Sequence, residues 1–281
     1  MKTYIKTIFI GISIIFTSCT DVIDVDTPSA DPRLVIEASI DWEKGTSGNE
    51  QTIILSTSTK YFEKIENNMV TGASVKITND SNGAEFVFTD QNNGKYSTTN
   101  FVPVLNQSYT LEVIYNNEVY IAKETMTPVV DITAITQSRE EGDDDEELEV
   151  NVIFDDPENE ENFYFVKFRK KGDLLPELFR DNDEFTNGNR MTIRYEKLED
   201  DSINQEAFVP NDVVDISFHG ISKGYYDYIS ILINQVDGDD GPFGTTPVPL
   251  KGNCVNSSNP ENYAFGYFRL TQVIKTSYTF Q

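Results

Sequence analysis

The chain has 281 residues, with 22 Lys and Arg against 47 Asp and Glu, a formal charge of −25. Such a surplus repels phosphate backbones and excludes nucleic acid as a partner. One histidine, His219, and two cysteines, Cys19 and Cys254, leave no material for a multi-histidine metal site. At 38% hydrophobic and 12% aromatic residues, the composition supports a packed core.

The chain opens with an export signal, residues 1–18. Lys2 and Lys6 form a positive start, Thr7 to Phe16 an apolar stretch of about ten residues, and Thr17-Ser18 precede Cys19. A membrane-spanning helix needs about 20 apolar residues, so this segment is too short to remain as a span. Small residues before a cysteine match a bacterial lipobox, with Phe16 where an aliphatic residue is usual. Cleavage leaves Cys19 first, its thiol carrying diacylglycerol and its amine an acyl chain such as palmitate. Several acyl chains on one residue give stable anchoring where one does not. Residues 19–31 form a tether. Asp21, Asp24 and Asp26 resemble the acidic signals that send lipoproteins to the outer face of the outer membrane, so the expected location is lipid-anchored and facing the cell exterior.

Strand signals follow. Leu34 to Ile40 and Thr52 to Ser58 are rich in β-branched residues, and Ala73–Thr78, Ala84–Thr89 and Lys95–Thr99 are separated by Asn- and Gly-rich turns. Tyr109 to Tyr115 alternates with period two, and Val119–Ala122 returns after Asn116-Asn117 as a hairpin partner. These predict one antiparallel immunoglobulin-like sandwich over 32–127. A second sandwich is expected over 128–281. Its strands are Asp131–Thr136, Leu148–Phe154, Phe163–Phe168, Val213–Phe218, Ala264–Leu270 and Ile274–Phe280; the acidic run 139–147 and residues 172–212 read as irregular. Within this half the apolar spacing of Tyr225, Tyr228, Ile229, Leu232, Ile233 and Val236 changes to the helical period. It predicts one helix, 222–236, capped by Ser222. That stripe is expected to face the core and to leave Tyr226, Asp227 and Ser230 as a partner face. The fold class is thus mainly β, two sandwiches with one inserted helix.

The sites of chemistry are sparse. Asp215, Ser217 and His219 share one side of a strand, but neighbours at that spacing stand about 6.5 Å apart, too far for a relay. Asp181-Asn182-Asp183 and Asp237 to Gly241 are the acidic loops that invite Ca²⁺, yet neither has the EF-hand spacing. Cys254 reads as a small buried thiol. No catalytic residue, metal or cofactor is expected.

Several segments resemble a known family: Pro32 to Ile40, Val70 to Ile77, Asp181 to Gly188, Val214 to Ser222 leading into Tyr225 to Tyr228, and the Gly252-Asn253 and Gly266-Tyr267-Phe268 pattern near the end. They are similar to the Bacteroidota outer-membrane lipoproteins known as domain of unknown function 4249, over essentially the whole chain after Cys19. Cys254 stands where relatives carry an aliphatic residue. The resemblance implies two β-sandwich modules on a lipid anchor, often encoded beside TonB-dependent receptors, and carries no catalytic residues. The expected function is a non-enzymatic accessory or ligand-binding partner of such a receptor. The alternative is a free-standing surface adhesin.

Overall fold

The computed structural model describes residues 31–59, 68–139, 142, 146–199, 205–236 and 249–281. Residues 1–18 read as a signal, Cys19, Asp21, Asp24, Asp26 and the run Asp237 to Gly241 lie outside them.

Among the described residues, fifteen strands and one helix follow in chain order: β1 Leu34–Glu43, β2 Gln51–Thr57, β3 Ser74–Asn79, β4 Glu85–Asp90, β5 Lys95–Thr98, β6 Ser108–Tyr115, β7 Glu118–Thr125, β8 Ile132–Ser138, β9 Glu149–Asp155, β10 Phe163–Lys170, β11 Glu177–Asn182, β12 Arg190–Glu196, β13 Val213–Ile221, α1 Lys223–Val236, β14 Val255–Asn256 and β15 Phe265–Thr279. The architecture is mainly β with sandwich-like sheets, as the sequence predicts. Twelve strands run in one sheet, in the order β11-β10-β13-β15-β1-β2-β5-β4-β3-β6-β7-β14, and β12-β9-β8 form a second.

The alternation read from sequence is visible in burial. Tyr109, Leu111 and Val113 of β6 and Val75 and Ile77 of β3 point into a first core with Ile36, Ile53, Leu55 and Tyr96. A second core gathers Val150, Val152 and Phe154 from β9, Tyr164, Val166 and Phe168 from β10, and Ile216 and Phe218 from β13. The apolar run of β10 does not alternate, because this strand is covered on both faces. Tyr164, Val166 and Phe168 meet the second core, and Phe163 and Phe165 meet α1 in a third cluster with Ile221, Tyr225, Ile229 and Ile233.

Two departures from the expected layout concern the second half. The stretch 172–212 holds two strands, β11 and β12. In β12 the buried Met191, Ile193 and Tyr195 do alternate, a pattern that polar neighbours obscure. The two closing strands are one, β15, whose centre is polar but buried. Thr271 Oγ1 donates to the Gly220 carbonyl, and Gln272 Oε1 accepts from Val129 N at 3.4 Å. The Gln272 amide donates to the Thr127 carbonyl at 2.8 Å. A Thr-Gln pair that reads as a break is therefore the clamp on the linker at 127–129. Gly220 makes that clamp sterically feasible: a Cβ there would lie 1.8 Å from the Pro128 oxygen.

β15 also alters the division into two sandwiches. It pairs in parallel with β1, from Val35↔Phe265 to Glu43↔Val273, and antiparallel with β13. Cys254, Ala264, Phe268 and Leu270 complete the first core, and Phe280 the second. Residues 254–270, expected in the second sandwich, thus belong to the first, and Pro32–Gln281 is one compact unit.

Candidate functional site

Where β1, β15 and β13 lie side by side, their polar residues meet beneath α1. Asp41 comes from β1, Arg269 from β15 and His219 from β13. Arg269 is 1% exposed, and its Nη2 donates to Asp41 Oδ1. Its guanidinium lies 4.8 Å from the centre of the Tyr225 ring and 5.8 Å from that of Phe165, so α1 and β10 close over it with aromatic faces. Nε and Nη1 of Arg269 have no hydrogen-bond partner. Burial alone would raise the Asp41 carboxyl, but the charge of Arg269 and the His219 ring hold it well below the ordinary carboxylate range.

His219 is 1% exposed. Its Nδ1 lies 3.2 Å from the Phe165 carbonyl, which can only accept, so Nδ1 carries the proton. Nε2 faces Asp41 Oδ2 at 3.6 Å. Burial pushes the imidazole pKa below its ordinary value, and Asp41 opposes that shift. Both ring nitrogens are turned to groups other than Ser217, while Asp215 pairs with Arg169 at 3.3 Å. The three same-strand residues are not assembled as a relay.

Next to this cluster, Ser222 caps α1. Its Oγ accepts from Tyr225 N at 3.2 Å and donates to Glu124 Oε2 at 2.8 Å. The Tyr267 hydroxyl donates to the same oxygen at 3.3 Å. Burial raises the Glu124 carboxyl, and the donors from Thr125, Ser222 and Tyr267 oppose the rise. The helix start is thus tied to β7. On the outer edge of the same strand, Glu118 accepts from Tyr120, Asn256, Asn259 and Asn262. The Tyr120 hydroxyl, with the three amides, lowers the Glu118 carboxyl and fixes residues 256–262 on β7. Beyond them Tyr263 lies between two cations, Arg33 at 3.8 Å and Lys251 at 4.0 Å from its ring centre.

The helix is turned differently from the expectation. Tyr225, Ile229 and Ile233 are its buried residues, Tyr228 and Leu232 are half-buried, and Val236 is 76% exposed. Tyr226 packs on Phe163 at 5.1 Å between ring centres and accepts from Asn182 Nδ2 at 2.8 Å. Ser230 accepts from Arg180 Nε at 2.5 Å. The expected partner face is corrected for both: Tyr226 and Ser230 lie on β11, a strand the sequence reading lacks. Asp227 is outward, paired with Lys223 at 3.4 Å, and Ile231 follows on the same exposed line. Cys254 is a buried free thiol in the first core, its pKa pushed up to about 12 by burial.

The family described as Domain of unknown function (DUF4249) matches residues 20–277. The chain belongs to this family. No curated protein matches this DUF4249 chain. Among solved structures it is similar to a DUF4785 family protein from Legionella pneumophila, at 10% identity and TM-score 0.28, over 66% of this chain and 52% of that one. A two-domain fibronectin type III segment of chicken tenascin is 12% identical, with TM-score 0.21, over 68% and 91%. The first three fibronectin domains of chicken CNTN1 are 14% identical, with TM-score 0.25, over 69% and 64%.

Proposed function

We propose that this DUF4249 chain is a lipoprotein of a Bacteroidota outer membrane, displayed on the cell surface, that acts without catalysis as an accessory or ligand-binding partner of a TonB-dependent receptor. The observation that carries the reading is the start of the chain: two lysines, a short apolar stretch, Thr17-Ser18 and Cys19, followed at once by the residues that the family matches. Among the described residues no helix is long and apolar enough to cross a membrane. An acylated Cys19 then holds the β unit beside any receptor in the same membrane and raises its effective concentration there without a large interface.

The test has two parts. Cys19→Ser abolishes recovery in the outer-membrane fraction; a variant that still pellets after a high-salt wash overturns the anchor. From cells carrying the unmodified chain, mild-detergent pull-down recovers a TonB-dependent receptor, and protease added to intact cells removes the chain. Protection from protease overturns surface display, and recovery of the chain alone favours a free-standing adhesin.

A further inference from the structure

Phe163↔Asn182 is the last pair between β10 and β11, so Asn162 and Asp183 face each other just beyond it, and Asp183 N donates to the Asn162 carbonyl at 3.3 Å. By the period of two, their side chains share the face of Tyr164. The Tyr164 hydroxyl donates to Oδ1 of buried Asp156, whose Oδ2 accepts from Gly188 N at 2.9 Å. After Asp183 the chain turns back on itself: Thr186 N donates to the Asp183 carbonyl at 2.9 Å, and Asn189 N to the Thr186 carbonyl at 2.9 Å.

This corner holds a group of orphaned oxygens. Asp183 is 1% exposed, and its Oδ2 is buried without a hydrogen-bond partner. The same is true of Asn162 Oδ1 and Thr186 Oγ1, one strand pairing and one turn away. Native interiors rarely leave such atoms unmatched, and least of all a carboxylate oxygen. Asp156 on the same corner takes both donors, the Tyr164 hydroxyl and Gly188 N, and leaves none for Asp183 Oδ2. A cleft of about 250 Å³ lies at the same turn on the α1 side, lined by Glu161, Asp183 and Glu184 but also by Lys223, Phe163 and Tyr226.

We propose that Asp183, Asn162 and Thr186 form a Ca²⁺ site, with Asp156 as the second carboxylate beside it. The donors are a carboxylate, an amide oxygen and a hydroxyl, the hard oxygen set that Ca²⁺ takes in flexible geometry. Imidazole and thiolate, which select zinc and copper, are not among them. Asp181-Asn182-Asp183 lacks EF-hand spacing because the other ligands come from separate segments, before β10 and after β11. With so few carboxylates the site falls in the weak class of extracellular modules, with Kd about 10⁻⁴–10⁻³ M.

The site is tested on the full-length chain in detergent by thermal melting with millimolar CaCl₂ or with EGTA. Calcium raises the melting temperature of the unmodified chain. Asp183→Asn removes that rise and melts in EGTA at or above the unmodified chain, because the uncompensated buried charge is gone. Thr186→Ala, a milder change, moves the calcium midpoint about tenfold higher, and Asp239→Asn in the other acidic run changes nothing. Coincident melts in calcium and EGTA overturn the site. So does a calcium shift that survives Asp183→Asn, one lost in Asp239→Asn, or one that Mg²⁺ reproduces in full.

Discussion

Asp41→Ala removes the carboxylate from Arg269 while leaving the guanidinium enclosed by Tyr225, Phe165 and the sheet. Breaking one partner of a buried ion pair costs about 3–5 kcal/mol, because the charge left behind is uncompensated. Asp41 keeps 29% of its side chain exposed, so water reaches the vacated space and the lower end, about 3 kcal/mol, is expected. Urea unfolding reads this as a lower midpoint at unchanged slope, and a thermal scan as a fall on the order of 10 °C for a unit of this size. The double variant Asp41→Ala/Arg269→Met removes both charges and recovers to within about 1.5 kcal/mol of the original. The pH dependence follows the same pair. The Asp41 carboxyl is held below its unfolded value, so its contribution is fully present above about pH 4 and is lost as pH falls toward the folded value. Asp41→Asn therefore flattens the acid limb of the stability curve. If Asp41→Ala costs less than about 1 kcal/mol, the pair behaves like a solvated surface bridge and the reasoning fails. A double variant no better than the single one refutes it equally.

Ile229→Ala, at the centre of the buried helix stripe, costs about 2–5 kcal/mol in urea unfolding, whereas Asp227→Ala on the exposed line changes stability by less than about 0.5 kcal/mol. Tyr226→Ala belongs with the first: it loses the Phe163 and Asn182 contacts and lowers the melting temperature, an outcome that an outward-facing tyrosine would not give. Gly266→Ala destabilises by more than about 1 kcal/mol, since φ is +91° and the new Cβ would lie 2.1 Å from the Ile36 oxygen; a neutral melt shows that β1 and β15 can part locally. Cys254 reacts with a thiol reagent only after unfolding, and labelling of the native chain at pH 8 contradicts its burial and raised pKa.

The elements with clean periodicity were legible, as β6, β7 and α1 illustrate. Ser222 was also legible as a cap, because capping is a local property. The orientation of α1 was not. Tyr226 and Ser230 read as outward until β11 supplies Arg180 and Asn182, and β11 itself is a polar edge strand without an apolar face to announce it. β15 was split at Thr271-Gln272, since polar residues inside a strand signal exposure unless a distant segment needs their hydrogen bonds. The Asp41–Arg269–His219 cluster draws on the first strand, the last strand and β13, so no window of sequence contains it. The sequence places His219 on one side of a strand with Asp215 and Ser217 but does not show that it is buried with its Nδ1 proton held by a carbonyl. Cys19 and the acids that follow it rest on sequence alone.

The pairing of β1 with β15 also sets a condition on when the protein can fold. Its first strand finds a neighbour on that side only in its last, and the first core stays open until Ala264, Phe268 and Leu270 have been made. A ribosome releasing the chain from its N-terminus thus produces a long intermediate with exposed strands β1 to β7 and no means of sealing them. Under the proposed export route this delay is useful. Translocation threads unfolded polypeptide, and a topology in which β1 waits for β15 keeps the intervening chain threadable until β15 has been made. The same delay makes the C-terminal tail the most sensitive place for truncation. Deletion of residues 265–281 would leave both cores incomplete, although it removes only a single strand and its end.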